Sequence, residues 1–412
     1  MRRAAAACVA GLMAMAMLCA GAARGDKPAA PARAPHPVLR IPVAPLGYLP
    51  PGAFDTDYRL SSAALGFFDD NRVLFTFRAS ELMKRLPDDQ GEDQDIRAVV
   101  LDAHTGRVLR QAQWRMRDRE QYLWPFADGK FLLRIGNSLY LMGPSLQLEP
   151  YLRFPARLDT VQISPQRNWM VVEYDDPAKA HMGPSLMGGG QMETPVKVAI
   201  LRVGSKKPVA VSEMDEPGEL PLLGEGLMDV AEGKVPASWV MREVPFAGAP
   251  QLVGSVKSFC RPQVKPLSST VALVTWCTQA DSDRPVFAVD LSGRELWQDI
   301  WQQKYVWPYF DFAENGSRFA YESVEIDVPM SVVPSTLDQD EIAGQMVGVY
   351  DTETGRLVLV RDTSPVVTAG QNVALSPDGR RFAVLRDGAI EIYDLPPATE
   401  PGPKAAASRV AR

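Results

Sequence analysis

The side chains that could do chemistry in this 412-residue chain are few, and most sit in three short stretches. The first is His181-Met182-Gly183-Pro184-Ser185-Leu186-Met187-Gly188-Gly189-Gly190-Gln191-Met192. One imidazole and three thioethers are soft ligands of the kind Cu(I) prefers. The same residues also read as a glycine-rich loop between a strand ending near Tyr174 and one starting near Val196. That reading offers His181, Met182, Met187 and Met192 as partner contacts. The second stretch is Asp88-Asp89-Gln90-Gly91-Glu92-Asp93-Gln94-Asp95, five acids in eight residues. It suits a calcium loop on paper, but its composition reads first as a solvated loop between two strands of the first unit. The third is the aromatic run Trp297, Trp301, Tyr305, Trp307, Tyr309 and Phe310. Here Trp301 to Pro308 is expected to form a connection between structural units. Exposed aromatics there, Trp301, Tyr305 and Trp307, would favour a sugar or peptide ligand.

Reactions need more than these. No G-x-S-x-G elbow, His-Glu-x-x-His pair or phosphate loop is present. Three histidines are thin material for general-base or metal chemistry. Carboxylates at the starts of polar turns (Asp69, Asp70, Asp128, Asp311, Glu314) would matter only if a pair converged in one cavity with a raised pKa. No catalytic, cofactor-binding or metal-binding residue is nominated. A net charge of -6 gives no basic field for a nucleic-acid backbone.

The elements that must carry these residues recur in order. A polar turn followed by an apolar strand runs from Phe68-Asp69-Asp70-Asn71-Arg72 into Val73–Phe77, and returns near 126, 163, 312 and 375. Asp-Gly and Asn-Gly steps between apolar runs are strong hairpin signals. Each such half is followed by a strand, an Asp-x-x-x-Gly turn and another strand. Asp102 with Gly106 and Asp351 with Gly355 show it, and Asp290 with Gly293 is one residue shorter. In these turns, and in Asp378-Gly379, the aspartate accepts from turn amides and the glycine supplies a left-handed residue. The gap between 163 and 312 has room for two degenerate units, near 222–260 and 266–302. The expected fold is all-β, a single propeller of four-stranded blades over 38–395. Seven blades average roughly 51 residues each, and six or eight remain compatible. The strand within Val38–Leu49 is expected to complete the last blade and close the ring.

Ser376-Pro377-Asp378-Gly379-Arg380-Arg381-Phe382-Ala383-Val384 resembles the repeat strand of Tol-periplasmic-type propellers. Ala288-x-Asp290…Gly293-x-x-x-Trp297 is similar to the tryptophan docking motif of quinoprotein blades. The body thus resembles the secreted β-propeller superfamily of WD-repeat-like, Tol-periplasmic-like and quinoprotein-like blades, in an exported bacterial form. The resemblance implies blades and says little about activity. Quinoprotein dehydrogenases typically carry adjacent cysteines over the cofactor. Cys260 and Cys277 are 17 apart, so no quinone is expected.

The ends speak to compartment. Arg2-Arg3, an apolar run from Ala4 to about Ala20, and Ala20-Gly21-Ala22-Ala23 form a secretory signal pattern over 1–22. Residues 23–37 are a Pro/Ala-rich linker, and 396–412 a tail of the same character. The mature protein is expected to be exported, periplasmic or secreted, with no membrane span. It keeps just two cysteines, Cys260 and Cys277, expected to pair in an oxidising compartment, with two buried thiols as the alternative. Together these features predict a monomeric, non-catalytic scaffold that binds an envelope protein or polymer through its face loops, without nucleic acid or cofactor. The alternative is a propeller glycosidase or lyase with channel carboxylates.

Overall fold

The computed structural model describes residues 36–50, 63–79, 93–116, 121–175, 181–183, 191–193, 195–214, 218–277, 283–302, 305–327, 342–367 and 371–398. Residues 1–22, expected to be a signal peptide, most of the expected linker, the acidic run as far as Glu92, Met187 and the residues from 399 lie outside them.

Seven four-stranded antiparallel sheets follow one another along the chain. The first is built from Ala63–Asp69, Arg72–Arg78, Gln94–Asp102 and Val108–Met116. The next five occupy 123–153, 158–214, 222–257, 263–302 and 305–362. The two degenerate units expected between 222 and 302 are therefore blades four and five. The seventh sheet takes Val373–Leu375, Arg381–Arg386 and Ala389–Asp394 from the end of the chain and Leu39–Pro42 from its beginning. Leu39 pairs with Ile392 and Ile41 with Ile390. This strand exchange closes the ring without a covalent link and covers two sheet edges.

The core lies between blades. Each seam has its own buried cluster, so seven clusters serve seven seams. This explains why second strands such as Arg72–Arg78 are continuous apolar runs rather than alternating ones: both faces meet a neighbouring blade. Outermost strands alternate toward water, as Val108–Met116 does. At the closing seam Tyr48 stands edge-on to Phe75 and Phe77, with ring centroids 5.4 and 5.5 Å away.

The repeated turns work as their residue types require. Asp102 accepts from the amides of His104 (3.0 Å) and Thr105 (2.8 Å). Asp290 takes the amides of Ser292 and Arg294, each at 3.0 Å. Gly106, Gly293, Gly355 and Gly379 all have positive φ. Gly355, at φ +64, is doubly required, because a Cβ there would lie 2.5 Å from the Trp297 ring. The indole instead lies against the turn and donates its Nε1–H to Thr352 O at 2.8 Å, docking blade five on blade six.

Two expectations are corrected. Trp301 is not on a long connection: Glu295–Gln302 is the outer strand of blade five and Tyr305–Phe312 the inner strand of blade six. Trp301 stacks on Tyr321 with centroids 4.2 Å apart, inside the seam between those blades. Tyr305 and Trp307 are likewise strand residues. The His181–Met192 segment is not simply a loop, since His181–Gly183 pairs antiparallel with Gln191–Glu193 as a two-stranded hairpin rising from blade three.

Candidate functional site: a channel closed at one end

The polar turns joining first to second strands all gather on one face of the ring, here the turn face. The chain passes from blade to blade on the opposite, crossover face. In blade three the turn follows Leu158–Ile163. Ser164 Oγ organises it, accepting from the amides of Trp169 (3.0 Å) and Asn168 (3.2 Å). Ser376 does the same in blade seven, with the amide of Arg381 at 2.9 Å. Within the first of these turns Arg167 is held at φ +56, uncommon for a residue with a Cβ.

Arg167 reaches across the channel from there. Its Nη1 donates to Glu314 Oε2 at 2.8 Å and to Phe126 O at 3.3 Å. Glu314 belongs to the turn of blade six, on the far side of the ring. That turn is itself anchored to blade seven, with Asn315 N donating to Pro377 O (3.1 Å) and Asn315 Nδ2 to Asp378 O (2.8 Å). Arg167 is 5% exposed and the Glu314 side chain 32%, so the ion pair forms a half-buried bar across the channel.

The bar separates two spaces. On the crossover side is a cup of about 200 Å³, open to solvent, whose wall runs from Gln121 and Glu219 near the mouth to Arg167 and Asp311 at the floor. Trp124, Phe310 and Phe312 supply aromatic surface, and Lys265, paired with Glu219, lies 5.2 Å from the Phe310 ring centroid. The wall is stitched between blades three and four by Gln162, whose Nε2 donates to Leu220 O (2.5 Å) and whose Oε1 accepts Leu220 N (3.0 Å). On the turn side is a more open depression of about 340 Å³ lined by Asp69, Asp70, Asp128 and Glu314, with Arg72.

Of the five turn carboxylates weighed from sequence, only Asp311 faces the cup; it lies in the strand itself. Its Oδ2 accepts the Leu375 amide at 2.6 Å. Burial pushes its carboxyl up to about 6, against the pull of that amide and of the Arg167 guanidinium. The other four line the turn-side depression. There Asp69 is held low, its burial outweighed by the Arg72 hydrogen bonds, and Asp70 is raised by burial and the nearby Asp378 carboxylate.

A second buried carboxyl, Glu322, lies at the seam of blades six and seven, and no sequence signal pointed to it. Gln345 fixes its amide by giving Nε2–H to Val367 O and accepting Val367 N on Oε1, both at 2.8 Å. The nearby Asn372 Nδ2 therefore donates to Gln345 Oε1 and Thr363 Oγ1, each at 3.2 Å. The other end of that amide faces the two Glu322 carboxyl oxygens at 2.6 and 2.9 Å. Burial pushes the Glu322 carboxyl up to about 8, which favours its protonated form in the folded state.

The other sites proposed from sequence are scattered. Cys260 and Cys277 are joined, S–S 1.99 Å, between the ends of blades four and five. Ser258 Oγ accepts both of their amides, at 3.3 and 3.1 Å. His181, Met182 and Met192 belong to the two paired strands His181–Gly183 and Gln191–Glu193.

No family model matches the chain, and no curated protein matches it. Solved structures do. A chain of a mitotic checkpoint complex aligns over 93% of this chain and 99% of its own, at 12% identity and TM-score 0.45. A TolB-like protein from Agrobacterium tumefaciens aligns over 70% and 94%, at 11% identity and TM-score 0.38. Pyrococcus horikoshii acylaminoacyl peptidase aligns over 83% of this chain at 9% identity and TM-score 0.47, and this chain spans about half, 53%, of that enzyme. At such identities and scores these likenesses carry no argument about function.

Proposed function

We propose that this chain is a binding propeller without chemistry of its own, and that its ligand or partner enters the channel cup from the crossover face. The observation that carries this reading is the bar formed by Arg167 and Glu314. A two-carboxylate mechanism needs both acids in one cavity, within roughly 5 to 10 Å of each other's reach on a single substrate bond. Here Asp311 faces the cup while Glu314 lines the depression on the other side and is committed to Arg167. What remains is a partly aromatic recess with a few polar groups converging on it, a form suited to recognition.

Export to an oxidising compartment fits the Arg2-Arg3 leader pattern and the Cys260–Cys277 bond. The partner in this reading is an envelope protein or a polymer end, bound by a monomer.

A photoreactive residue at Gln121, on the cup wall, tests it. It should yield one discrete adduct from a native envelope extract, absent when the same residue replaces the exposed outer-strand Val209. Equal labelling from both positions, or turnover by the purified protein across hydrolase and oxidoreductase panels, would contradict the reading.

A further inference from the structure

We propose that the cup takes a primary ammonium group on an apolar stem, seated against Asp311. The inference deepens the reading of the cup as the binding site and rests on it. Charge decides the class. Lys265 and Glu219 neutralise each other on the wall. At the floor one cation, Arg167, faces two carboxyls, Glu314 and Asp311. The Arg167 charge is therefore already matched by Glu314, and an anion entering the cup would meet Asp311 with no cation left to receive it. A cation meets the reverse: one carboxylate in surplus, with Phe310, Phe312 and Trp124 also lining the cup.

Geometry agrees. Asp311 is 8% exposed, and it is one of the residues lining the cup. Its Oδ2 is held by the Leu375 amide, so the carboxyl cannot swing away. A fixed carboxylate at the end of an apolar, aromatic recess suits an ammonium, which aromatic faces also attract. Burial, the Leu375 amide from blade seven, Arg167 beside it and the Phe312 amide set its ionisation, with Glu322 and Tyr309 of its own blade nearby.

The ammonium could come from a chain end, a lysine side chain or a small amine. Calorimetry on the full chain at pH 7.5 would compare hexylammonium, hexanol and hexanoate. An N-terminally free tripeptide and a lysine capped at both ends assign the source. Hexylammonium should bind at least tenfold more tightly than hexanol, and hexanoate should not bind. Asp311→Asn, which keeps an oxygen for the Leu375 amide, should cost the ammonium tenfold or more and leave hexanol unchanged. Should that variant fail to fold, the unaltered protein still decides, because its affinity for hexylammonium should fall about tenfold from pH 7.5 to pH 5 as Asp311 takes a proton. Hexanoate binding best would overturn the ligand class while leaving the cup a binding site. Binding of none of the three would overturn the proposal, and the Gln121 adduct then tells whether the cup reading falls with it.

Discussion

Arg167 and Glu314, 147 residues apart in the chain, meet at 2.8 Å across the propeller channel and divide it in two. Neither is a core residue by type. Each lies in a hairpin turn that its blade needs anyway, so the bar is made by the ring bringing blades three and six face to face.

Breaking the bar should be asymmetric. Arg167→Met leaves Glu314 without its cation and Asp311 without the guanidinium beside it, and should cost about 2 to 4 kcal/mol in urea unfolding. Glu314→Gln leaves Arg167 with Asp311 as a remaining partner, and the Glu314 side chain is 32% exposed, so about 1 kcal/mol is expected. A larger loss from the glutamate change would contradict this order.

Glu322 should make the protein lose stability as pH rises. Its folded pKa, about 8, lies above its ordinary value of 4.5, so the folded state prefers the proton. The contribution is complete below about pH 4.5, shrinks between there and pH 8, and is flat above. By linkage the loss is on the order of 5 kcal/mol. Glu322→Gln, which does not titrate, should flatten that part of a urea-midpoint profile and stabilise the fold at pH 8.5. An unchanged slope would show that Glu322 is ionised in the folded state.

Cys260–Cys277 closes a loop of 17 residues. Chain entropy gives such a loop about 3 kcal/mol. The Cys260→Ser, Cys277→Ser double variant should lose about 2 to 4 kcal/mol, and reductant should affect the parent protein but not the variant.

Gly355→Ala places a Cβ against the Trp297 ring at a left-handed residue. It should cost about 2 kcal/mol and shift tryptophan emission to the red as the indole leaves the Thr352 carbonyl. Trp297→Phe should cost about 1 kcal/mol, the Nε1 hydrogen bond alone.

The blades were legible in the sequence because their turns are local. Asp102-to-Gly106 and Ser376-to-Gly379 each close within a few residues, and even the weak units at 222–257 and 263–302 could be placed by the room left for them. The closing strand near Leu39 was legible for a different reason, that a ring needs its edge covered. The aromatic run from Trp297 to Phe310 was misread. Its density comes from two adjacent strands, one on each side of a seam, and not from an exposed loop. The bar and the Glu322 cluster were not legible at all. Both depend on contacts between residues 41 to 147 positions apart, where nothing in either local sequence marks the partner.

Carboxyl footprinting with and without the partner captured from an envelope extract tests the central claim most directly. Glu219, 54% exposed at the cup, and Asp69, 37% exposed in the turn-side depression, report the two sides of the bar. Binding in the cup predicts that labelling of Glu219 falls while that of Asp69 is unchanged. Protection of Asp69 with Glu219 still labelled would place the partner on the turn face and contradict the account.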